Sequence, residues 1–149
     1  EGAASIGDLR YYADVKGDDF ATPLASAQLG AALAAYGDPT RADRMFARAA
    51  AQIAGRTASE KQVWRSDYGT YLRDNAAVLT LAVEAGSTAV DFDALVDSVA
   101  PVGDVSNRST QEQVWSLLAA HAMLDGDRTI RPSPRWTSAI RAAAMPRSR

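Results

Sequence analysis

Apolar residues recur every three or four positions along most of this chain, which is the spacing of helices with one buried face. The pattern predicts a short helix over residues 6–15 and two longer helices over residues 23–36 and 39–54. Both longer helices open with a capping side chain, Thr22 or Asp38, that is followed directly by proline. The first part of the chain is therefore predicted to be helical.

The two longer helices are predicted to form an antiparallel hairpin, because only two or three residues around Gly37 separate them. Their buried stripes are Ala25, Leu29, Ala32, Leu33 and Tyr36 on the first helix, and Ala42, Met45, Phe46, Ala49 and Ile53 on the second. The opposite face of the second helix carries Arg41, Arg44, Arg48 and Gln52.

Two more helices are predicted further along the chain. One covers residues 68–85 after a cap at Ser66 or Asp67, and a short one covers residues 92–99 after a cap at Asp91. The inner stripe of the longer one is predicted to be Leu72, Ala76, Leu79 and Val83, and its wetter stripe Arg73, Thr80 and Glu84.

The run over residues 109–124 is the most distinctive stretch. Ser109 and Glu112 have the spacing of a capping box, in which each side chain bonds the other residue's amide. The positions that follow are apolar on almost every side, which predicts a helix surrounded by other helices. No alternating strand pattern competes, so the fold class is predicted to be all-α, built from antiparallel helix pairs.

The chain is predicted to divide into a helical region over residues 1–124 and a basic C-terminal segment over residues 125–149. A turn is predicted at residues 125–127, and the remainder forms either one further helix through Trp136 or a loosely held tail. Its arginines are Arg128, Arg131, Arg135, Arg141, Arg147 and Arg149. A solvated tail, or a surface that meets acidic residues of a neighbouring domain, is favoured over a nucleic-acid site, because Trp136 is the only aromatic residue among them.

Composition excludes several functions. The formal net charge is −2, so no overall field attracts nucleic acid or an acidic membrane. The absence of cysteine excludes disulfides, thiolate metal sites and a cysteine nucleophile within these residues. The apolar runs are too short to span a bilayer, and no direct membrane contact is expected. Because the chain begins at Glu1 without a signal-like segment, it is interpreted as an excised or processed piece.

Candidate chemistry is sparse. His121 is the only histidine, and a core or inter-helix role is favoured over a base or a metal ligand. Asp67 and Asp74 could be catalytic carboxylates beside the cation Arg73. However, Arg73 and Asp74 are expected to point in different directions. Capping and inter-helix ion pairing are favoured over acid–base catalysis. A toroid-fold enzyme acting on sugars or isoprenoids stays open if Asp67, Asp74 and Glu84 line one pocket.

An aromatic group is predicted where two helices meet, formed by Trp64, Tyr68, Tyr71 and Trp115. Core packing is favoured over a carbohydrate or peptide groove. No catalytic, cofactor-binding or metal-ligating residue is therefore predicted. The chain is not expected to be an enzyme or to need a cofactor.

A local resemblance links the hairpin to the tetratricopeptide repeat. Leu29, Gly30 and Leu33, followed by Ala42, Phe46 and Ala49, have the spacing of its small and large positions. The next repeat should begin about 34 residues on, but Trp64 stands where a second Gly30 would be. Because the match is not repeated, a helical-repeat module that binds peptides is kept only as the alternative.

A longer resemblance links the chain to the bacterial α2-macroglobulin family. It rests on residues 9–14 (LRYYAD), 22–29 (TPLASAQL), 66–69 (SDYG) with Arg73 and Asp74, and 109–113 (STQEQ) leading into 117–121 (LLAAH). These blocks occur in family order. The resemblance implies part of the thioester-type helical domain, an α/α toroid with an inner and an outer helix layer. An inner-layer position is implied for the helix over residues 109–124.

The family that this chain resembles consists of periplasmic or cell-surface protease inhibitors, which close around a protease after it cuts a bait region. The resemblance thus implies that this chain acts with neighbouring domains and, through the whole protein, on target proteases. Some members also carry a Cys-x-Glu-Gln thioester. Residues 110–113 match that spacing, but Thr110 stands in place of the thiol. These residues are interpreted as the first turn of a capped helix. No catalytic residue of the family is carried over to this chain.

Overall fold

The computed structural model describes residues 5–56, 67, 69–100 and 107–126. The helices in these ranges are α1 (Ile6–Val15), α2 (Pro23–Ala35), α3 (Pro39–Ala54), α4 (Tyr71–Glu84), α5 (Phe92–Val99) and α6 (Thr110–Gly126), with a 3-10 turn at Gly17–Asp19 after α1. No strand occurs within them. The all-α prediction is confirmed for this part of the chain.

Helix starts are encoded locally by capping side chains. Thr22 accepts a hydrogen bond from the Ala25 amide, and Asp38 and Asp91 do the same for the amides three residues ahead of them. Glycine in the left-handed region follows α2, where Gly37 has a φ of 78°. That conformation is strained for other residues, so the end of α2 beside this glycine has a physical cause.

The α2–α3 hairpin closes tightly at Gly30. A Cβ at this position would lie 3.2 Å from the Ala42 carbonyl oxygen and 3.2 Å from the Phe46 ring. The Phe46 ring at this contact is fully buried, and Leu33 on α2 is also fully buried. The small-residue pattern therefore does mark a close helix approach. Tyr36 was predicted to share the buried stripe, but it lies at the end of the helix and is exposed.

Helix α4 is the most enclosed helix among the described residues. It packs against α2, α3, α5 and α6, and every position from Arg73 to Thr80 is buried. The predicted division into an inner and a wetter stripe is wrong for Arg73 and Thr80. Thr80 is satisfied by donating to the Ala76 carbonyl within its own helix, so it tolerates burial. Glu84 is exposed, as predicted.

Helix α6 is less enclosed than its composition predicted. Its Ala119 and Ala122 face the core, whereas Leu117 and Leu124 are 71% and 75% exposed. His121 is exposed and pairs with Asp125, with 3.3 Å between Nδ1 and Oδ2, so its predicted place in the core is wrong. Apolar composition does not show which sides of a helix find neighbours. Within the described residues, α4 supplies the main contact.

Two predicted boundaries shift. Helix α4 begins at Tyr71 after the cap Thr70, rather than near residue 68 after Ser66 or Asp67, because Thr70 accepts the Arg73 amide. Helix α6 continues through Asp125 to Gly126, where a turn was predicted.

Several predictions lie outside the described residues. These are the basic segment beyond residue 126 with its possible last helix, the turn residue Asp127, and Ser66, Trp64 and Tyr68. Among the described helices, none has the length and apolar content needed to cross a membrane.

The capping box at the start of α6 is confirmed and gives the first testable prediction. Ser109 Oγ accepts from the Glu112 amide at 3.3 Å, and the Ser109 amide donates to Glu112 Oε2 at 2.7 Å. Ser109→Ala is expected to lower the free energy of unfolding by about 0.5–2 kcal/mol. Urea unfolding measures the loss, and Ser109→Asn, which keeps a capping acceptor, should restore most of it. An unchanged midpoint for the alanine variant would contradict the cap.

Candidate functional site

Charged residues meet inside the protein where α4 begins. Arg73 is 3% exposed and Asp74 is 0% exposed, although they are adjacent in sequence. Arg73 Nε and Nη2 both donate to Asp74 Oδ1, at 3.0 and 2.6 Å. Buried charges are costly unless they are paired and hydrogen-bonded, and this fork meets both conditions.

The pair is joined to three other segments. Arg73 Nη2 donates to Asp67 Oδ2 at 3.0 Å, and Arg73 Nη1 donates to Gln111 Oε1 on α6 at 3.2 Å. On the other side, Arg56 Nη2 donates to Asp74 Oδ2 at 2.6 Å. We call Arg56, Asp67, Arg73, Asp74 and Gln111 the ionic network. It ties the end of α3 to α4 and α6.

A shared cap lies beside the ionic network. Glu112 completes the capping box of α6 and also accepts a hydrogen bond from the Thr70 hydroxyl at 2.8 Å. Thr70 in turn caps α4. Burial acts to raise the pKa of Glu112, but the hydrogen bonds from Thr70 and Ser109 outweigh it, so this pKa is lowered. Two helix starts are thereby linked through one ionised carboxylate.

The ionic network corrects the sequence prediction in one respect and supports it in another. Arg73 and Asp74 do not point in different directions, because the long arginine side chain folds back onto its neighbour. The predicted ion pairing between helical segments is confirmed by the salt bridge from Arg56, just after α3, to Asp74 on α4. Glu84 lies ten residues beyond Asp74 along α4, about 15 Å away, and is exposed. Asp67, Asp74 and Glu84 therefore do not line one pocket.

Sequence reasoning missed two members of the ionic network. Arg56 follows the last turn of α3, outside any apolar stripe, and nothing in the pattern sets it apart from the other arginines. Gln111 was singled out only as part of the run 110–113. That run forms the first turn of α6, as interpreted. Gln111 there accepts a hydrogen bond from Arg73 on α4, and the sequence alone does not show that α4 lies beside it.

A second group of ion pairs joins α1 to α3 near the surface. Arg41 bonds both Asp14 and Asp38, Arg44 also pairs with Asp14, and Arg10 Nε donates to Asp38 Oδ2 at 2.8 Å. The arginine face predicted for α3 is therefore ion-paired with α1 but stays partly exposed. The hydrogen bond from Arg41 is the largest cause of the lowered pKa of Asp14. The hydrogen bond from Arg44 adds to it, and burial opposes both.

Acid should weaken the ion pairs between α1 and α3. The Arg10 guanidinium lowers the pKa of Asp38 below 3.8; burial opposes this and Arg41 adds to it. A carboxyl with a lowered pKa in the folded state stabilises at pH values above its unfolded pKa, and the effect is lost as pH falls through the folded pKa. The urea midpoint is expected to stay level from about pH 7 to 5 and to fall below about pH 4.

The Asp38→Asn variant should show a shallower fall in the same titration, because asparagine keeps the cap but cannot lose a charge. Asp93→Asn is the matched control, since Asp93 lies exposed in the first turn of α5. Parallel acid profiles for wild type and Asp38→Asn would contradict the assignment.

Metal chemistry gains no support from the described part of the chain. No group of three or more histidine, cysteine, aspartate or glutamate side chains is placed there to hold a metal ion. The charged groups at the start of α4 are engaged with one another and with α3 and α6. Fold and site together define a helical protein in which an internal ionic network joins the helices.

Comparison with known proteins points to one relative. The chain is 31% identical over 134 residues to alpha-2-macroglobulin of Escherichia coli (strain K12). The alignment covers 89% of this chain but only 8% of that protein, so the chain matches a small part of its relative. No protein-family model matches the chain. No solved structure matches it either. The similarity supports a distant relationship to alpha-2-macroglobulin.

Proposed function

We propose that this chain is a non-catalytic helical part of an α2-macroglobulin-like protein that inhibits proteases. The observation that carries the proposal is the alignment with the Escherichia coli protein, which extends over 89% of the chain. An alignment over most of the chain does not rely on any one motif.

The ionic network supports a mechanical role for this part. Arg73 holds Asp67 and Gln111 while Arg56 holds Asp74, so α3, α4 and α6 are joined by charge-assisted bonds inside the protein. Such bonds are short and directional, and they resist sliding of one helix past another. A helical body of this kind suits transmission of a movement between neighbouring domains.

The arrangement proposed for the longer protein is an α/α toroid. The α2–α3 hairpin and the α4–α6 contact would contribute helices to its two layers, with α4 as the enclosed helix in place of α6. The proposed location is the periplasm or the cell surface. The proposed partners are neighbouring domains and, through them, target proteases, with no enzymatic activity of this part.

The test uses the full-length product of the gene that encodes this chain. Trypsin, elastase and subtilisin are each mixed with it, and hydrolysis of casein and of a small chromogenic peptide is followed in parallel. Casein hydrolysis should fall for at least one protease while peptide hydrolysis persists, because an enclosed protease admits only small substrates.

The isolated 149-residue chain serves as the matched control and should change neither activity. Undiminished casein hydrolysis with all three proteases would overturn the proposed inhibitor function. Inhibition by the isolated chain would overturn the non-catalytic, mechanical role.

A further inference from the structure

A pocket opens between the end of α3 and the first turns of α4 and α5. Its volume is about 480 Å³, in the range of pockets that take small ligands. Most of its wall is apolar and includes Ala50, Ile53, Ala94 and Leu95. It lies outside the ionic network.

A buried amide in the pocket wall has an unused acceptor. Asn75 is 0% exposed, and its Nδ2 donates to Ser98 Oγ at 2.8 Å. The Ser98 hydroxyl donates to the Leu95 carbonyl at 2.6 Å. Because its one proton is used there, it accepts from Asn75, so the amide nitrogen of Asn75 faces the serine. Asn75 Oδ1 is left shielded from solvent with no hydrogen-bond partner. Buried polar atoms in that state are rare in folded proteins.

An acidic side chain stands at the same pocket. Asp91 Oδ1 accepts the Ala94 amide at 3.0 Å as the cap of α5, and no cation among the described residues pairs with this exposed carboxylate. Asp91 and Ser98 Oγ thus offer acceptors at the pocket wall, and Asn75 Oδ1 behind them gains a partner only when its side chain moves on binding. The occupant that complements them is positively charged and carries several donors.

We propose that this pocket binds the guanidinium group of an arginine side chain presented by a partner polypeptide. A guanidinium carries five N–H donors in one plane and so serves more than one acceptor, whereas an ammonium is a compact point charge. The methylene stem of arginine packs on Ile53 and Leu95, and the pocket volume leaves space for adjoining backbone. This site does not depend on the proposed inhibitor function.

Nuclear magnetic resonance titration of the 149-residue chain tests the proposal. The probes are the N-acetyl, N-methylamide derivatives of arginine, lysine, norleucine and glutamate. The arginine derivative should shift the amide signals of Ile53, Asn75 and Leu95, and bind about tenfold more tightly than norleucine. Lysine should be weaker than arginine, and glutamate weakest. Equal binding of norleucine or lysine, or shifts confined to other helices, would overturn the proposal.

Variants assign the contacts. Asp91→Ser keeps a capping oxygen for α5 and removes the charge, so arginine binding should weaken towards the norleucine level while norleucine binding is unchanged. Asp93→Ser removes a neighbouring carboxylate that does not line the pocket and should leave arginine binding intact. Asn75→Leu should weaken arginine binding by removing the acceptor. Equal arginine affinity for wild type, Asp91→Ser and Asn75→Leu would sink the assignment.

Discussion

Replacing Arg73 by methionine should lower the free energy of unfolding by about 3–5 kcal/mol, the range for breaking a buried ion pair. The reason is burial of the partner. Asp74 is 0% exposed and would keep only part of its compensation, from Arg56, while Asp67 and Gln111 lose a donor. Urea unfolding followed by circular dichroism measures the change.

Arg44→Met is the matched control, because Arg44 is also paired with an aspartate but is 56% exposed. Exposed pairs contribute less than about 1 kcal/mol, so the two substitutions should differ several-fold. Equal losses would mean that the ionic network is no better shielded from water than the surface pairs. The double variant Arg73→Met with Asp74→Leu should cost less than the sum of the single changes, because it leaves fewer unpaired charges.

Phe46→Ala should also lower the free energy of unfolding by about 3–5 kcal/mol. The Phe46 ring is 0% exposed and lies against Gly30, where α2 and α3 are in close contact. Truncation removes buried apolar surface and leaves a cavity that the short α2–α3 turn prevents from collapsing fully. Thermal and urea unfolding of the same variant measure the loss.

Leu117→Ala is the control for this experiment. Leu117 is as apolar as the core leucines but is 71% exposed, and its loss should be about 0.5 kcal/mol or less. Leu118, at 40% exposed, should lie between these limits. The sequence pattern predicted a fully internal residue there, with a loss of about 2–5 kcal/mol on truncation. A loss at Leu117 as large as that at Phe46 would contradict the described surface of α6.

These stability experiments bear on the proposed function through the ionic network. If helices α3, α4 and α6 move as one body, Arg73→Met should loosen all three together rather than α4 alone. Hydrogen exchange of the variant then reports faster exchange in each of these helices, with α1 little changed. Faster exchange in α4 only would contradict a role for the network in joining the helices.

Local signals in the sequence determined the helices. Capping side chains such as Thr22, Asp38 and Asp91 satisfy amides within three residues, and Gly37 adopts a left-handed conformation that ends a helix by itself. The close α2–α3 approach was also predictable, because Gly30 on α2 and Ala42 on α3 are both small residues. All of these effects act over distances that a short stretch of chain defines, so periodicity and residue type are sufficient to predict them.

Only the tertiary structure decided which helix is enclosed and where the charges meet. Helices α4 and α6 are both rich in apolar residues, yet α4 is surrounded and α6 keeps leucines exposed. Arg73 and Thr80 look polar in sequence but are buried, because Asp74, Gln111 and the Ala76 carbonyl satisfy them. Burial and ion pairing depend on what the other helices bring into contact, and residues far apart along the chain fix that jointly.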